Sequence, residues 1–88
     1  MIRCTHIRLA GGGRHEHIVR IRWVNPETQA TGESTRAEMV SWIRGGGVAF
    51  VTDGINTIRV HVVNANPPYV QTYKDGIPTD NLLALPRF

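Results

Sequence analysis

Apolar and basic side chains alternate along the segment His17–Val24, in the order Val19, Arg20, Ile21, Arg22 and Trp23. A period of two residues is typical of a β-strand that buries one face and leaves the other open. The pattern therefore predicts a strand that packs its apolar residues against a core. Its arginines would then lie on the opposite face, in contact with water or a partner.

Further segments rich in β-branched or aromatic residues, each flanked by turn residues, predict strands at Ile2–Leu9, Val48–Thr52, Thr57–Val63 and Tyr69–Tyr73. Within the third of these, Arg59 and His61 alternate with apolar residues, which again indicates one buried and one open face. The polar stretch Asn25–Glu33 has almost nothing to bury, and we expect it to form a mobile loop.

A helix is predicted over Arg36–Arg44. Thr35 and Glu38 have the spacing of a capping box, in which each side chain accepts a hydrogen bond from the other residue's main-chain N–H. The three glycines Gly45–Gly47 follow the segment and favour its termination. An apolar stripe along one side suits this helix to covering a sheet.

Together these elements predict an α+β fold with a single, mostly antiparallel five-stranded sheet and one helix packed on one face, in the order β-β-α-β-β-β. A chain of 88 residues is expected to form a single domain, residues 1–88, around one core. Leu82, Leu83 and Leu85 follow a turn and precede Pro86, so we expect them to pack as an apolar anchor.

The C-terminal block carries a family resemblance. It reads Tyr69-x-x-Thr72, then Asp75-Gly76, then Asp80-Asn81-Leu82-Leu83-x-Leu85-Pro86. This block resembles the signature ending of a family of small prokaryotic and viral proteins catalogued as domain of unknown function 3892, and the resemblance extends over nearly the whole chain. It implies the α+β fold and a standalone bacterial or phage protein, but no reaction. The ending Arg87-Phe88 departs from the cysteine expected there in many relatives.

Charge and cysteine content narrow the functional classes. The net charge is +3, and the basic residues are concentrated near the start of the chain, at Arg3, Arg8, Arg14, Arg20 and Arg22. Such a bias favours an anionic partner if the arginines share one face. The single cysteine, Cys4, excludes an internal disulfide framework, and no long apolar run predicts a membrane span or a signal peptide. We expect a cytoplasmic protein that needs no cofactor.

The open sheet face gives the leading functional hypothesis, a non-enzymatic binding module for nucleic acid or a phosphorylated nucleotide. The expected ligand-binding residues are Arg20, Arg22, Arg59, His61, Tyr69 and Tyr73. Guanidinium groups engage phosphate oxygens in pairs, and tyrosine rings stack on bases. The alternative for this face is a solvated surface on which the arginine stems cover apolar area. Strand order decides whether these side chains converge.

Three other functions compete with this hypothesis. The chain could be a protein-interaction module, either a homodimer or a phage-type inhibitor of a host factor, using an exposed strand edge, Trp42 or Phe88. A zinc site at His15 and His17 would need further ligands from distant segments, so we expect no metal. Cys4 is better explained as a core residue than as a nucleophile.

Overall fold

The computed structural model describes residues 1–88, which form one seven-stranded sheet and one α-helix. The strands are β1 (Ile2–Leu9), β2 (Ile18–Val24), β3 (Thr31–Thr35), β4 (Ala49–Thr52), β5 (Thr57–Val63), β6 (Tyr69–Lys74) and β7 (Ile77–Thr79). The helix α1 spans Arg36–Arg44, and a short 3₁₀ turn at His15–His17 precedes β2. The order across the sheet is β3-β2-β1-β4-β5-β6-β7, and only the β1–β4 pair is parallel among the paired strands.

The predicted α+β class, with one helix and a mostly antiparallel sheet, is confirmed. The helix bounds coincide with the prediction because its start is fixed locally. The Thr35 hydroxyl accepts from the Glu38 main-chain N–H at 3.2 Å, and the Glu38 carboxylate accepts from the Thr35 N–H at 2.8 Å. Hydrogen bonding of its carboxylate to the main-chain N–H and the side chain of Thr35 lowers the pKa of Glu38.

The predictions of five strands and of the order β-β-α-β-β-β are wrong, because the sheet contains seven strands, three before the helix and four after it. The segment Asn25–Glu33 was expected to be a mobile loop, but β3 begins at Thr31 and pairs antiparallel with β2. This edge strand needs little apolar content, since its main chain bonds to β2 and its Glu33 carboxylate lies 3.0 Å from Arg20. Apolar periodicity therefore could not reveal it.

The second missed strand, β7, forms a hairpin with β6. Asp75 and Gly76 both have positive φ, 53° and 78°, which matches the tight turn that joins twisted antiparallel strands. The turn was expected, but the chain then continues as a strand at Ile77–Thr79. Its three residues are too few to show a period in the sequence.

One of two irregularities in the β1–β2 pairing changes which residue of β2 enters the core. The register shifts between Arg8 and Leu9, so the extra residue on β2 is Val19. Ile18 is fully buried as a result, whereas Val19 is only half-buried. The expectation that Val19 lies on the core face beside Ile21 is therefore wrong, because Ile18 is buried there instead. Ile21 itself is buried as expected.

One face of the sheet and the helix enclose the core. Met39 and Val40 from α1 pack with sheet residues of a single apolar cluster, which includes Ile7, Ile21, Ala49, Val51, Val60, Val70 and Leu82. The helix therefore lies over the face that the strand patterns mark as apolar, and the arginine-bearing face is left open. No helix of the structure has the length and apolar content needed to cross a lipid bilayer.

The C-terminal segment is tied to the core by a buried hydroxyl. Thr72 Oγ1 donates to the carbonyl oxygen of Thr79 at 3.1 Å and accepts from the Thr79 hydroxyl at 2.8 Å. It also accepts from the main-chain N–H of Leu82 at 3.3 Å, and the Leu82 side chain is fully buried. Thr72 and Leu82 are therefore linked directly in the folded chain.

The last residues continue the sheet. The Ile7 N–H donates to the Pro86 carbonyl oxygen at 2.9 Å, and the Phe88 N–H donates to the Ile7 carbonyl oxygen at 3.1 Å. Arg87 forms a parallel bridge with Ile7, so this tail lies beside β1 beyond the stretch that β4 covers. The tail places Phe88 on the open face.

The burial of the anchor predicts unequal effects of its leucines. Leu82→Ala should lower the free energy of unfolding by about 2–5 kcal/mol, because a fully buried leucine leaves a cavity when truncated. Leu83→Ala is the matched control and should cost clearly less, since Leu83 is only half-buried. Urea unfolding with both midpoint and slope measured checks this. Equal losses for the two variants would contradict the anchoring role of Leu82.

Candidate nucleic-acid interface

Four side chains of alternating type cross the open face in a single row. Arg3 of β1 pairs with Phe50 of β4, Phe50 pairs with Arg59 of β5, and Arg59 pairs with Tyr73 of β6. Residues paired across strands point to the same face, so the two guanidinium groups and two rings alternate over four adjacent strands. We call Arg3, Phe50, Arg59 and Tyr73 the central row.

The arginines of the central row have no acidic partner. Both salt bridges of the structure involve Glu33, and neither Arg3 nor Arg59 takes part in them. Neither side chain donates a hydrogen bond to another group of the protein. Their donors therefore remain available to a ligand.

His61 extends the row along β5. Its ring meets the Tyr73 ring edge to face, with the centroids 5.7 Å apart. His61 pairs with Gln71, and Val63 pairs with Tyr69, so Tyr69 is on the same side of the sheet as Tyr73. However, the two tyrosines are four positions apart along β6, a distance of about 13 Å. Tyr69 lies at the far end of the face.

A second group of basic residues lies on β1 and β2, and two of its three arginines share one carboxylate. Arg8 and Arg20 are directly opposite each other, an arrangement of like charges that is unfavourable without compensation. Glu33 supplies it, with its carboxylate oxygens 3.0 Å from Arg20 and 3.6 Å from Arg22. We call Arg8, Arg20 and Arg22 the paired arginines.

Phe88 covers part of this group. The guanidinium carbons of Arg22 and Arg8 lie 4.1 and 4.6 Å from the centre of its ring, which is cation–π geometry. Arg8 Nε also donates to the Phe88 main-chain oxygen at 2.9 Å. The His6 ring meets the same phenyl ring edge on, at 6.5 Å. The Phe88 ring therefore covers guanidinium faces of Arg8 and Arg22 on which another aromatic ring could otherwise stack.

The six residues expected to bind a ligand thus share one face but do not form one cluster. Arg59, His61 and Tyr73 converge, and Tyr69 lies apart at the end of β6. Arg20 and Arg22 are on β2, which β1 and β4 separate from β5, a distance of about 14 Å across the strands. An open groove of about 480 Å³ over β1, β2 and β3 is lined by Arg3, His6, Arg22 and Glu33 among others, and it does not reach β5.

Sequence analysis missed Arg3 and Phe50 as members of the site. Each alternates with buried neighbours, since Ile2 and Cys4 flank Arg3, and Ala49 and Val51 flank Phe50. That alternation marks the two residues as facing away from the core. Only the parallel pairing of β1 with β4 shows that they are neighbours of Arg59.

The other candidate chemistries are not assembled by the fold. Cys4 is buried, and burial raises the pKa of its thiol to about 12. A bulge at Thr5 places Cys4 on the core face and His6 on the open face, so they cannot act as nucleophile and base. No group of three His, Cys, Asp or Glu side chains is arranged to hold a metal ion.

His15 and His17 also diverge. Both lie in the 3₁₀ turn that precedes β2, so they do not have the spacing along a strand that would place both rings on one side. His17 Nδ1 accepts from the Arg14 main-chain N–H at 3.0 Å, and its ring lies against Gly12. His15 is buried, and its Nε2 has no hydrogen-bond partner.

The buried imidazole predicts a loss of stability in mild acid. Burial lowers the pKa of His15, and the negative charge of Asp80 opposes this only in part. The unfolded chain therefore binds the proton more readily than the folded chain. The free energy of unfolding has its full value above about pH 6.5, the ordinary pKa of histidine, and it falls as the pH decreases toward the lowered pKa of the folded state. Urea midpoints measured from about pH 7.5 to about pH 5.5 should fall more steeply for the wild type than for His15→Gln.

His61→Gln is the control for that measurement. His61 is exposed on β5, so its replacement should leave the steep acid dependence in place. If the His15→Gln and wild-type curves run parallel, His15 does not cause the acid sensitivity.

A family model described as Protein of unknown function (DUF3892) matches residues 2–86 of the chain. The resemblance inferred from the C-terminal block is thereby confirmed over nearly the whole length. No curated protein and no solved structure matches the chain. The match brings no reaction or ligand with it, so function is argued from the geometry of the sheet.

Proposed function

We propose that this chain, which belongs to the DUF3892 family, is a non-enzymatic module that binds single-stranded nucleic acid or a phosphorylated nucleotide through its open sheet face. The central row carries the proposal. Arg3 and Arg59 would bind phosphate oxygens, while Phe50 and Tyr73 would stack on bases. His61, in edge-to-face contact with Tyr73, would extend the same surface.

The spacing of the row supports a ligand with repeating charge and rings. Neighbouring strands are about 4.8 Å apart, so the two guanidinium groups are anchored about 10 Å apart with a ring between them. A 5′-phosphorylated dinucleotide would place one phosphate at each guanidinium group while a base stacks on the ring between them. Stacking on an aromatic side chain is worth about 1–3 kcal/mol per base and tolerates any base, so this binding would have little sequence preference.

The different states of the two arginine groups support the central row as the principal contact. Arg20 and Arg22 already bind Glu33, and Arg22 already stacks on Phe88. A phosphate arriving at these residues must compete with a carboxylate. Arg3 and Arg59 carry no such competitor, so they would supply most of the electrostatic attraction. Arg20, Arg22 and Tyr69 would make weaker contacts with a longer strand.

Binding without catalysis is proposed because guanidinium groups and aromatic rings dominate the face. Its carboxylate among the paired arginines, Glu33, is bound to two of them, and Asp75, which lines a shallow pocket with His61 and Tyr73, lies in the β6–β7 turn. The thiol of Cys4 is on the other face and is kept protonated by burial. A cytoplasmic location, where single-stranded nucleic acid and nucleotides are abundant, is part of the proposal.

Substitution of the row arginines tests the function. Arg3→Ala with Arg59→Ala should weaken binding of a labelled oligothymidylate in fluorescence anisotropy. The slope of log K against log salt should become shallower by about 0.7 for each phosphate contact that is lost. Arg20→Ala with Arg22→Ala should have a smaller effect. Thermal stability should change little for the row variants, because their side chains make no salt bridge.

Arg14→Ala with Arg44→Ala is the charge-matched control, since it also removes two positive charges, and both arginines are exposed and lie off the row, in the β1–β2 turn and at the end of α1. It should retain wild-type affinity. If the wild type shows no salt-dependent binding to single-stranded DNA, RNA or nucleotides, the proposed function is wrong. If all three variants weaken binding equally, only the net charge matters and the row is not a site.

A protein-interaction role is the second candidate, and the free edge of β3 favours it. β3 has β2 on one side only, and its sequence Thr31–Thr35 contains neither proline nor lysine, the residues that usually block edge pairing. The other edge, β7, carries Pro78. An added strand at β3 would give a dimer or a complex that added salt hardly weakens.

A further inference from the structure

A groove of about 450 Å³ lies on the helix side of the molecule, opposite the central row. It is lined by Met1, Ile2, Trp23, Asn25, Ala30, Ser34, Glu38, Met39 and Trp42. We call it the tryptophan groove, because both tryptophans of the chain contribute to it. Its volume falls in the range of pockets that hold small molecules.

Each indole ring is backed by a glycine. A Cβ atom at Gly32 would lie 2.5 Å from the Trp23 ring, and one at Gly47 would lie 2.2 Å from the Trp42 ring. Both distances are shorter than any real contact, so the rings occupy space that only glycine leaves free. Trp23 is fixed further by its Nε1–H, which donates to the Ser34 hydroxyl at 3.0 Å. The Trp23 ring is therefore held in place before any ligand arrives, whereas the Trp42 ring packs against Gly47 and is partly exposed.

The residues that line the groove carry two charged groups, the Glu38 carboxylate and the α-amino group of Met1. Glu38 is the only charged side chain in its lining, and its pKa is lowered by the hydrogen bonds to Thr35, so it is ionised at neutral pH. One carboxylate oxygen accepts from the Thr35 N–H. The nearby positive charge of Arg20 is directed to Glu33. No lysine or arginine side chain enters the groove lining.

The polar groups of the lining are already engaged. Ser34 accepts from Trp23, and the side-chain oxygen of Asn25 accepts from the Glu27 N–H at 2.9 Å. A ligand therefore meets two indole rings, two methionines and one carboxylate. An anion is disfavoured here by Glu38, and a neutral polar ligand would find few free partners. A cation with an apolar surface satisfies both the rings and the carboxylate.

We propose that the tryptophan groove binds a small organic cation of the quaternary ammonium class. Such an ion is attracted to the faces of indole rings and does not require hydrogen-bond donors. Glu38 supplies the counter-charge at the rim. This site is separate from the proposed nucleic-acid face and does not depend on it.

Choline is the probe for the test, and its neutral carbon isostere, 3,3-dimethylbutan-1-ol, is the matched control ligand. Because the chain has two tryptophans, titration of ¹⁵N-labelled protein should move two indole N–H signals with one saturable curve. We expect choline to bind at least about tenfold more tightly than the neutral isostere, as a cation–π contribution requires. Equal affinities, or no saturation with choline, would overturn the proposal.

Two variants locate the site. Trp42→Leu should abolish choline binding, and disappearance of one indole signal assigns the other to Trp23. Glu38→Gln should weaken choline binding while leaving the helix cap in place, since glutamine also serves in a capping box. The denaturation midpoint identifies any variant that fails to fold. A Glu38→Gln protein with wild-type stability and undiminished choline affinity would overturn the role of the carboxylate.

The variants of the nucleic-acid face keep the two proposals distinguishable. Arg3→Ala with Arg59→Ala should bind choline as the wild type does, and Trp42→Leu should retain oligonucleotide affinity. Loss of choline binding in the row variants would show that the groove is not an independent site, and would overturn the inference.

Discussion

The parallel pairing of β1 with β4 is the contact on which the rest of the structure depends. It consists of two register pairs, Ile2 with Ala49 and Arg3 with Phe50. On one side of this seam lie β1, β2 and β3, and on the other lie β4 through β7, each group built from antiparallel neighbours. The Ile2 N–H strengthens the seam by donating to the Val48 carbonyl oxygen at 2.9 Å. The helix and the C-terminal tail then support this short contact, the helix by packing residues from both groups around Met39 and Val40, the tail by pairing with Ile7.

The features that could be predicted from sequence are those whose causes are local. The start of the helix follows from the reciprocal hydrogen bonds of Thr35 and Glu38, which lie within four consecutive residues and are therefore visible in the sequence. The β5 strand follows from alternation within seven residues. In contrast, β3 is a polar strand whose stability comes from its pairing with β2 and from Glu33. Nothing in Thr31–Thr35 alone distinguishes it from a loop.

The candidate site divides in the same way. Alternation correctly separated Arg59 and His61 from the core, because facing is a local property of a strand. Convergence is not local, since it depends on strand order. Arg3 and Arg59 are 56 positions apart in the sequence, yet only β4 lies between their strands. Arg20 and Arg22 have the same local pattern as Arg59 but lie on the far side of the seam.

β3 and the C-terminal tail flank the β1–β2 hairpin, and local sequence patterns do not reveal either pairing. These two elements determine which arginines are left without a partner. β3 brings Glu33 to Arg20 and Arg22, and the C-terminal tail brings Phe88 over Arg8 and Arg22. Counted from sequence, the N-terminal third is the most basic region and the natural place for an anion. In the folded chain, part of that charge holds the edge strand and the tail, whereas Arg3 at the seam and Arg59 on the next strand have no carboxylate partner. The same additions that complete the sheet therefore move the candidate binding surface from β2 to the middle of the sheet.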